Sequence, residues 1–177
     1  MTAQDRKQRR QKVIEVLNKA RSMELQAITQ YMSQHYALDD KDYGTLAGNV
    51  KQIAIDEMRH AEMFAERIKE IEGEPTTDPS GGVEKGQDVK TVFSFDTDLE
   101  DDTIDQYNHF LLTCRENGDN ISMKLFETIL AEEQLHYNYF DNISDHLESL
   151  GESYLAHIAG TPAEGAAGGF AANQGAA

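Results

Sequence analysis

Basic residues are scarce in this sequence: 16 Lys and Arg stand against 32 Asp and Glu, for a formal charge of −16. A surface of that sign cannot neutralise phosphates, which excludes nucleic acid as a partner, and it draws cations. Cysteine occurs once, as Cys114, so neither an intrachain disulfide nor a thiolate metal cluster can form. No apolar run approaches the roughly 20 residues of a membrane span. The opening MTAQDRKQRRQK leads into no apolar stretch of signal-peptide length. A soluble, cytoplasmic protein with no membrane partner is expected. Proline occurs three times in 177 residues, and glycine is missing from 1–43, 87–117 and 119–150, a composition that favours helix. The length fits one domain with a sizeable core.

Periodicity predicts four long helices. The first, about Arg9 to Leu38, carries Val13, Leu17, Ala20, Ala27 and Tyr31 at steps that suit one helical face. The second, about Tyr43 to Glu72, carries Leu46, Val50, Ile53, Phe64 and Ile71. The third, about Val89 to Arg115, carries Phe93, Tyr107, Phe110 and Cys114. The fourth, about Ile121 to Leu150, carries Phe126, Ile129, Phe140, Ile143 and Leu147. A short amphipathic piece, Glu152 to Ile158, follows Gly151, and the Gly/Ala-rich stretch 160–177 is expected to be a disordered tail beyond a domain of residues 1–159. The first and third connections are short and join antiparallel neighbours. The middle one, at roughly 3.3 Å per extended residue, is long enough to cross a whole bundle. An all-α fold is expected, a four-helix bundle with one long crossover between the second and third helices and a short C-terminal helix.

A repeat carries the chemistry. Glu57-x-x-His60 lies on the second segment and Glu133-x-x-His136 on the fourth. One such motif is common on charged helices. Here Glu24 precedes Glu57 by 33 residues, Glu100 precedes Glu133 by 33, and Tyr31 and Tyr107 each follow their glutamate by seven. Each Glu pair is centred on a hairpin turn, so its members sit at one height on adjacent helices, about 25 Å from the turn at 1.5 Å per residue. Glu24 continues the apolar stripe of its helix; Glu57 and His60 fall between Ile53 and Phe64, and Glu133 and His136 between Ile129 and Phe140. Burying such charges without partners would be prohibitive, and two divalent cations would neutralise four carboxylates. One Glu from each of two helices and Glu-x-x-His from each of the other two make a dinuclear carboxylate site. Carboxylate and imidazole without thiolate suit iron or manganese, with zinc a further occupant; redox work favours iron. Tyr31 and Tyr107 are placed to hydrogen-bond a ligand carboxylate. His35, His109, His146 and His157 share no such pattern and read as structural or surface residues, and Cys114 reads as a small buried apolar residue.

Over about residues 10 to 158 the sequence resembles the bacterioferritin family. The resemblance is carried by Ile55-Asp56-Glu57-Met58-Arg59-His60-Ala61-Glu62, Met23-Glu24-Leu25-Gln26-Ala27-Ile28 and Glu132-Glu133-Gln134-Leu135-His136. Rubrerythrins share the doubled motif but add cysteine pairs. The resemblance implies a ferritin-like fold and a ferroxidase that oxidises Fe(II) with O2 or H2O2, stores iron and detoxifies it. It implies two iron ions per subunit. Glu57 and Glu133 would bridge them, Glu24 and His60 would complete one, and Glu100 and His136 the other. It also implies a shell of 24 subunits built from two-fold dimers, and an electron-donor redox protein for iron release. Met58 matches the family's haem-ligand methionine, so one iron porphyrin (protohaem or a modified form such as iron-coproporphyrin) would be shared between two subunits, with Leu25, Ile28, Met32 and Ile55 lining its pocket. Some members have a histidine where Gln52 stands, which with the residue matching Asp56 holds an iron on the inner surface; Gln52 is a poorer ligand. Two other functions compete: a di-iron peroxidase or oxidoreductase without a major storage role, which would use the same six ligands, and a haem-binding electron-transfer or scaffold protein with an idle bundle.

Overall fold

A computed structural model describes residues 2–163 and 169–173. Helix α1 covers Ala3–Asp40, α2 Gly44–Glu70, α3 Val89–Glu116 and α4 Asn120–Leu150, followed by the short α5, Glu152–Ile158, and α6, Phe170–Asn173. The helix ends lie close to the expected ones except at the start of α1. There Thr2 Oγ1 accepts from the Asp5 N–H at 3.1 Å while the Asp5 carboxylate accepts from the Thr2 N–H at 2.8 Å. This capping box starts the helix ahead of its first buried residue, Val13. Residues 3–12 are all exposed, so they carry no stripe from which periodicity could have found them. Asp88 caps α3 through the Lys90 N–H at 2.9 Å, and Asp119 caps α4 through the N–H groups of Ile121 and Ser122 at 3.1 and 3.0 Å. Gly118, with φ +79°, supplies the left-handed residue that turns α3 into that cap.

Helices α1 and α2 pack as one hairpin and α3 and α4 as another, with α1 against α3 and α2 against α4 closing the square. The crossover between α2 and α3 is laid along α1 by a polar ladder. Asn18 Nδ2 donates to the Glu74 carbonyl at 3.0 Å and Arg21 Nε to that of Thr76 at 2.8 Å. Ser22 Oγ donates to the Asp78 carbonyl at 2.7 Å, and Gln30 Nε2 to that of Glu84 at 3.0 Å. Backbone groups that would otherwise lie unpaired against the bundle are thereby satisfied.

Apolar side chains form two clusters. One contains Leu17, Phe64, Phe110, Phe126 and Ile129, the other Leu46, Val50, Ile53, Phe93, Phe140 and Leu147. The first lies toward the Asn117–Asp119 turn and the second toward the Lys41–Tyr43 turn, with the ionisable repeat between them. Beyond α5 the chain returns to the start of α2: Gly160 N–H donates to the Asp42 carbonyl at 2.9 Å and Thr45 N–H to Thr161 Oγ1 at 3.0 Å. Gly44 permits this, because a Cβ there would lie 2.0 Å from the Thr161 carbonyl oxygen. Of the stretch expected to be a disordered tail, residues 160–163 and 169–173 thus have defined structure, held by backbone hydrogen bonds that composition does not reveal; residues 164–168 and 174–177 lie outside the described residues. No described helix is long and apolar enough to cross a membrane.

Candidate metal centre

Glu24, Glu57, His60, Glu100, Glu133 and His136 meet between the two apolar clusters, none more than 2% exposed. They form two overlapping groups, Glu24–Glu57–His60–Glu133 and Glu57–Glu100–Glu133–His136, in each of which four ligand atoms lie within 4.8 Å of one another. Glu57 and Glu133 belong to both. His60 Nδ1 lies 2.9 Å from Glu57 Oε2 and 3.0 Å from Glu133 Oε1; His136 Nδ1 lies 3.1 Å from Glu57 Oε1 and 3.3 Å from Glu133 Oε2. Each of these two carboxylates thus turns one oxygen to each imidazole, as a bridge between two cations requires. Glu133 Oε1 approaches His60 without an aligned hydrogen bond and has no hydrogen-bond partner among the described residues, an orphaned buried acceptor that a cation would satisfy. All-nitrogen-and-oxygen donors in two four-residue sets suit a pair of hard or borderline divalent ions.

The terminal carboxylates are oriented by the repeat's tyrosines across the bundle. Tyr31 Oη donates to Glu100, and Tyr107 Oη donates to Glu24 at 2.5 Å. The outer imidazole nitrogens are also held, and crosswise. His60 Nε2, on α2, lies 3.1 Å from Glu132 Oε2 on α4; His136 Nε2, on α4, lies 3.3 Å from Asp56 Oδ2 on α2. Such partners fix the tautomer that leaves Nδ1 free to bind metal. Arg59 ties the two together, pairing with Glu132 and lying 3.2 Å from Asp56 Oδ1. These three residues were not singled out in the sequence as holding the histidines. The signal was present, because an acidic residue immediately precedes the shared glutamate in both halves of the repeat.

A cleft of about 170 Å³ between α1 and α3 reaches Glu24, Glu57, Glu100 and Glu133, with Gln26, Asp102 and Gln106 among its lining. Of the remaining expected residues, Met58 is 46% exposed, while Leu25, Ile28, Met32 and Ile55 are half-buried. His35 is structural, its Nδ1 2.9 Å from the Ala47 carbonyl; His109, His146 and His157 are exposed. Cys114 is buried, and burial pushes its thiol up to about 12. We expect iodoacetamide near pH 8 to leave the folded protein unmodified, and Cys114→Ser to oxidise Fe(II) within about two-fold of the parent, since a thiol without thiolate character has no part in the chemistry. Rapid alkylation, or lost activity at unchanged stability, would show a reactive thiol.

The electrostatics give a metal-dependent pH profile. Burial, then the Glu133 and Glu57 carboxylates, raise Glu24 well above the usual carboxylate range; burial, then Glu57 and Glu133, do the same to Glu100. Burial opposes charge on both histidines, yet the surrounding carboxylates outweigh it and hold both imidazoles well above their ordinary value. Burial would raise Glu133, but His60 and His136 draw it down. Groups raised on folding stabilise fully below their unfolded pKa, and that contribution is lost as pH rises through the folded value; the lowered Glu133 opposes this only toward acid. Metal-free protein should therefore begin to lose stability above about pH 4.3, where Glu24 and Glu100 ionise in the unfolded chain, and lose it more steeply above about 6.5, the unfolded imidazole value. Bound cations take the place of the protons and flatten the slope. With EDTA, Tm should be lower at pH 8.5 than at pH 6.5. Saturating Co(II) should raise it by about 5 °C or more at pH 8.5, the scale for a ligand at 100 times its Kd. Equal slopes with and without metal would count against cations between these carboxylates.

Comparison with known proteins gives the same answer. A family model, the ferritin-like domain, matches residues 14–150. Bacterioferritin of Desulfovibrio desulfuricans is 60% identical over 160 residues, 90% of this chain and 89% of the relative; that of Streptomyces coelicolor is 37% identical over 147 residues, 82% and 88% of the two chains. An X-ray structure of the D. desulfuricans protein, which describes its diiron site in different catalytic states, superposes with a TM-score of 0.90 at 59% identity, over 91% of this chain and 94% of that one. Mycobacterium tuberculosis bacterioferritin superposes with a TM-score of 0.79 at 32% identity, over 83% and 93% of the chains. The chain belongs to the bacterioferritin family of iron-storing ferroxidases.

Proposed function

We propose that Glu57 and Glu133 bridge the two irons of this ferroxidase, that Glu24 and His60 complete one coordination sphere, and that Glu100 and His136 complete the other. The observation that supports this most directly is that both shared carboxylates turn one oxygen to each imidazole Nδ1. Paired irons supply the redox change, two Fe(II) giving two electrons to O2 or H2O2. The protein supplies the rest. The α1–α3 cleft admits Fe(II) to a cluster of carboxylates that attracts it. The tyrosine and acidic partners fix the ligands before metal arrives, which limits reorganisation during oxidation. The apolar clusters on either side exclude water from the interior.

Storage needs a multisubunit shell. We place 24 copies in it, built from two-fold dimers, each dimer holding one iron porphyrin between its two Met58 residues, with Leu25, Ile28, Met32 and Ile55 around it. Support comes from the exposure of Met58 on α2 beside the buried Glu57 and from the half-buried apolar residues on the first hairpin. An electron-donor protein would reduce the stored iron for release, in the cytoplasm. Anaerobic Fe(II) followed by O2 tests the centre: the fast phase should saturate at two Fe(II) per chain. Gel filtration tests the shell, since a small oligomer would leave the peroxidase alternative. Saturation at one Fe(II) per chain would defeat the dinuclear assignment.

A further inference from the structure

The two sides of the bundle that flank the centre are unequal. The α1–α3 side carries the open cleft described above. On the α2–α4 side, Asp56 is 0% exposed and the C-terminal segment lies over it. Ala171 N–H donates to Asp56 Oδ2 at 2.7 Å, the same oxygen that lies 3.3 Å from His136 Nε2. Gly169 sits so close that a Cβ there would lie 1.7 Å from Asp56 Oδ1. Phe170, 6% exposed, sets its ring centroid 6.2 Å from that of His136 and 5.0 Å from that of Tyr139.

We infer that Gly169–Phe170–Ala171 is a positioning element of the dinuclear centre, closing the α2–α4 side and holding Asp56 as the hydrogen-bond acceptor of His136. The inference rests on the ligand roles proposed above. A buried carboxylate needs donors, and here they are one imidazole and one distant chain amide, both on Oδ2, while the Arg59 guanidinium offers only an ion pair to Oδ1 at 3.2 Å. Without the amide, Asp56 would turn toward water and its hold on the imidazole would loosen. Phe170 keeps that water out. His60 has a different outer partner: Glu132 is 25% exposed on its side chain and is held by Arg59, with no described contact to the segment. The two metal positions therefore depend on the C-terminus unequally, and the position served by His136 is the dependent one. The same contacts occupy Asp56, so a cavity-side iron on Gln52 and Asp56 requires the segment to leave.

Titration of the metal-free full-length protein with Co(II), followed by ligand-field absorption, separates the two positions. Wild type should show two equivalents per chain. A chain ending at residue 163 should bind one equivalent about 10-fold more weakly, the lower end of the effect of losing an outer-sphere partner, and the other within about two-fold. Ala171→Pro, which removes the amide donor within the first turn of α6, should shift the same equivalent. Ala171→Ser, which keeps the N–H, should match wild type. If truncation impairs assembly, the Pro and Ser variants decide. Unchanged affinities in both the truncated and the Pro proteins, or equal weakening of both equivalents, would overturn the inference while leaving the ligand assignment standing. A wild-type protein that takes up no cobalt pair would overturn the ligand assignment, and this inference with it.

Discussion

Glu57→Ala removes the fast phase of Fe(II) oxidation and leaves the bundle folded. The loss follows from the sharing of this side chain. Its Oε2 lies 2.9 Å from His60 Nδ1 and its Oε1 3.1 Å from His136 Nδ1, so on the proposed assignment both metal positions would lose a ligand and only Glu133 would remain to join them. Oxidation that needs two adjacent irons should slow by at least about 10-fold, because even an outer-sphere loss at a metal site has effects of 10–100-fold. Stability also falls. Glu57 helps raise Glu24 and Glu100, but it also pairs with both buried imidazoles, and its removal leaves His60 and His136 short of a carboxylate in the metal-free protein. The space it leaves opens to the cleft that Glu57 already lines and can fill with water. Metal-free Glu57→Ala should therefore stay folded but melt below wild type near neutral pH, and Co(II) should raise its Tm much less. Stopped-flow oxidation at two Fe(II) per chain checks the rate, and gel filtration checks the assembly. Wild-type kinetics in an intact assembly would show that the chemistry is elsewhere.

The meeting of the six ionisable side chains was legible because five of them stood on apolar stripes, and because the spacing repeated at an offset that centred each glutamate pair on a turn, which placed Glu100 with them. Geometry then followed from helix rise alone. The helix hairpins were legible for the same reason, as stripes bounded by short turns. What was hidden uses groups that leave no periodic trace. The crossover lies along α1 by means of Asn18, Arg21, Ser22 and Gln30, a polar row that in sequence looks like any solvated helix face. Asp56 and Glu132 each serve the histidine of the other Glu-x-x-His helix, and cross-helix partners cannot be assigned before the helices are packed. The contact of Ala171 with Asp56 uses a backbone N–H, and that of Gly169 uses the absence of a side chain. Neither has a residue-type signature, so a Gly/Ala-rich composition suggested no structure at all.

On the proposed haem assignment, Met58→Leu should give an assembly that lacks the porphyrin spectrum expected of wild type and keeps its ferroxidase activity. Each helical residue turns about 100°, so Met58 cannot share the inward direction of Glu57, and it is indeed 46% exposed while Glu57 is 1% exposed. An exposed thioether on an otherwise well-packed helix suits a contact made with another molecule. One sulfur supplies one axial bond, and a low-spin haem iron takes two. In the proposed two-fold dimer the same residue of the partner copy would supply the second, which sets the expected content at about half a porphyrin per chain. Leucine preserves bulk and apolarity but offers no lone pair. Porphyrin should therefore be lost, or be retained with a spectrum lacking bis-thioether ligation. Met58→His offers nitrogen instead, and should bind porphyrin with a shifted spectrum if it binds at all. In both variants the fast phase should stay within about two-fold of wild type, since the six buried ligands face the other way and no hydrogen bond joins them to this side chain. Pyridine haemochrome assay and absorption spectroscopy on protein from a porphyrin-sufficient host read the first effect, and stopped-flow oxidation reads the second. Wild type without porphyrin, or Met58→Leu with an unchanged spectrum, would remove Met58 from the haem assignment. A fast phase that fell together with the spectrum would instead show that the two metal sites are coupled through α2.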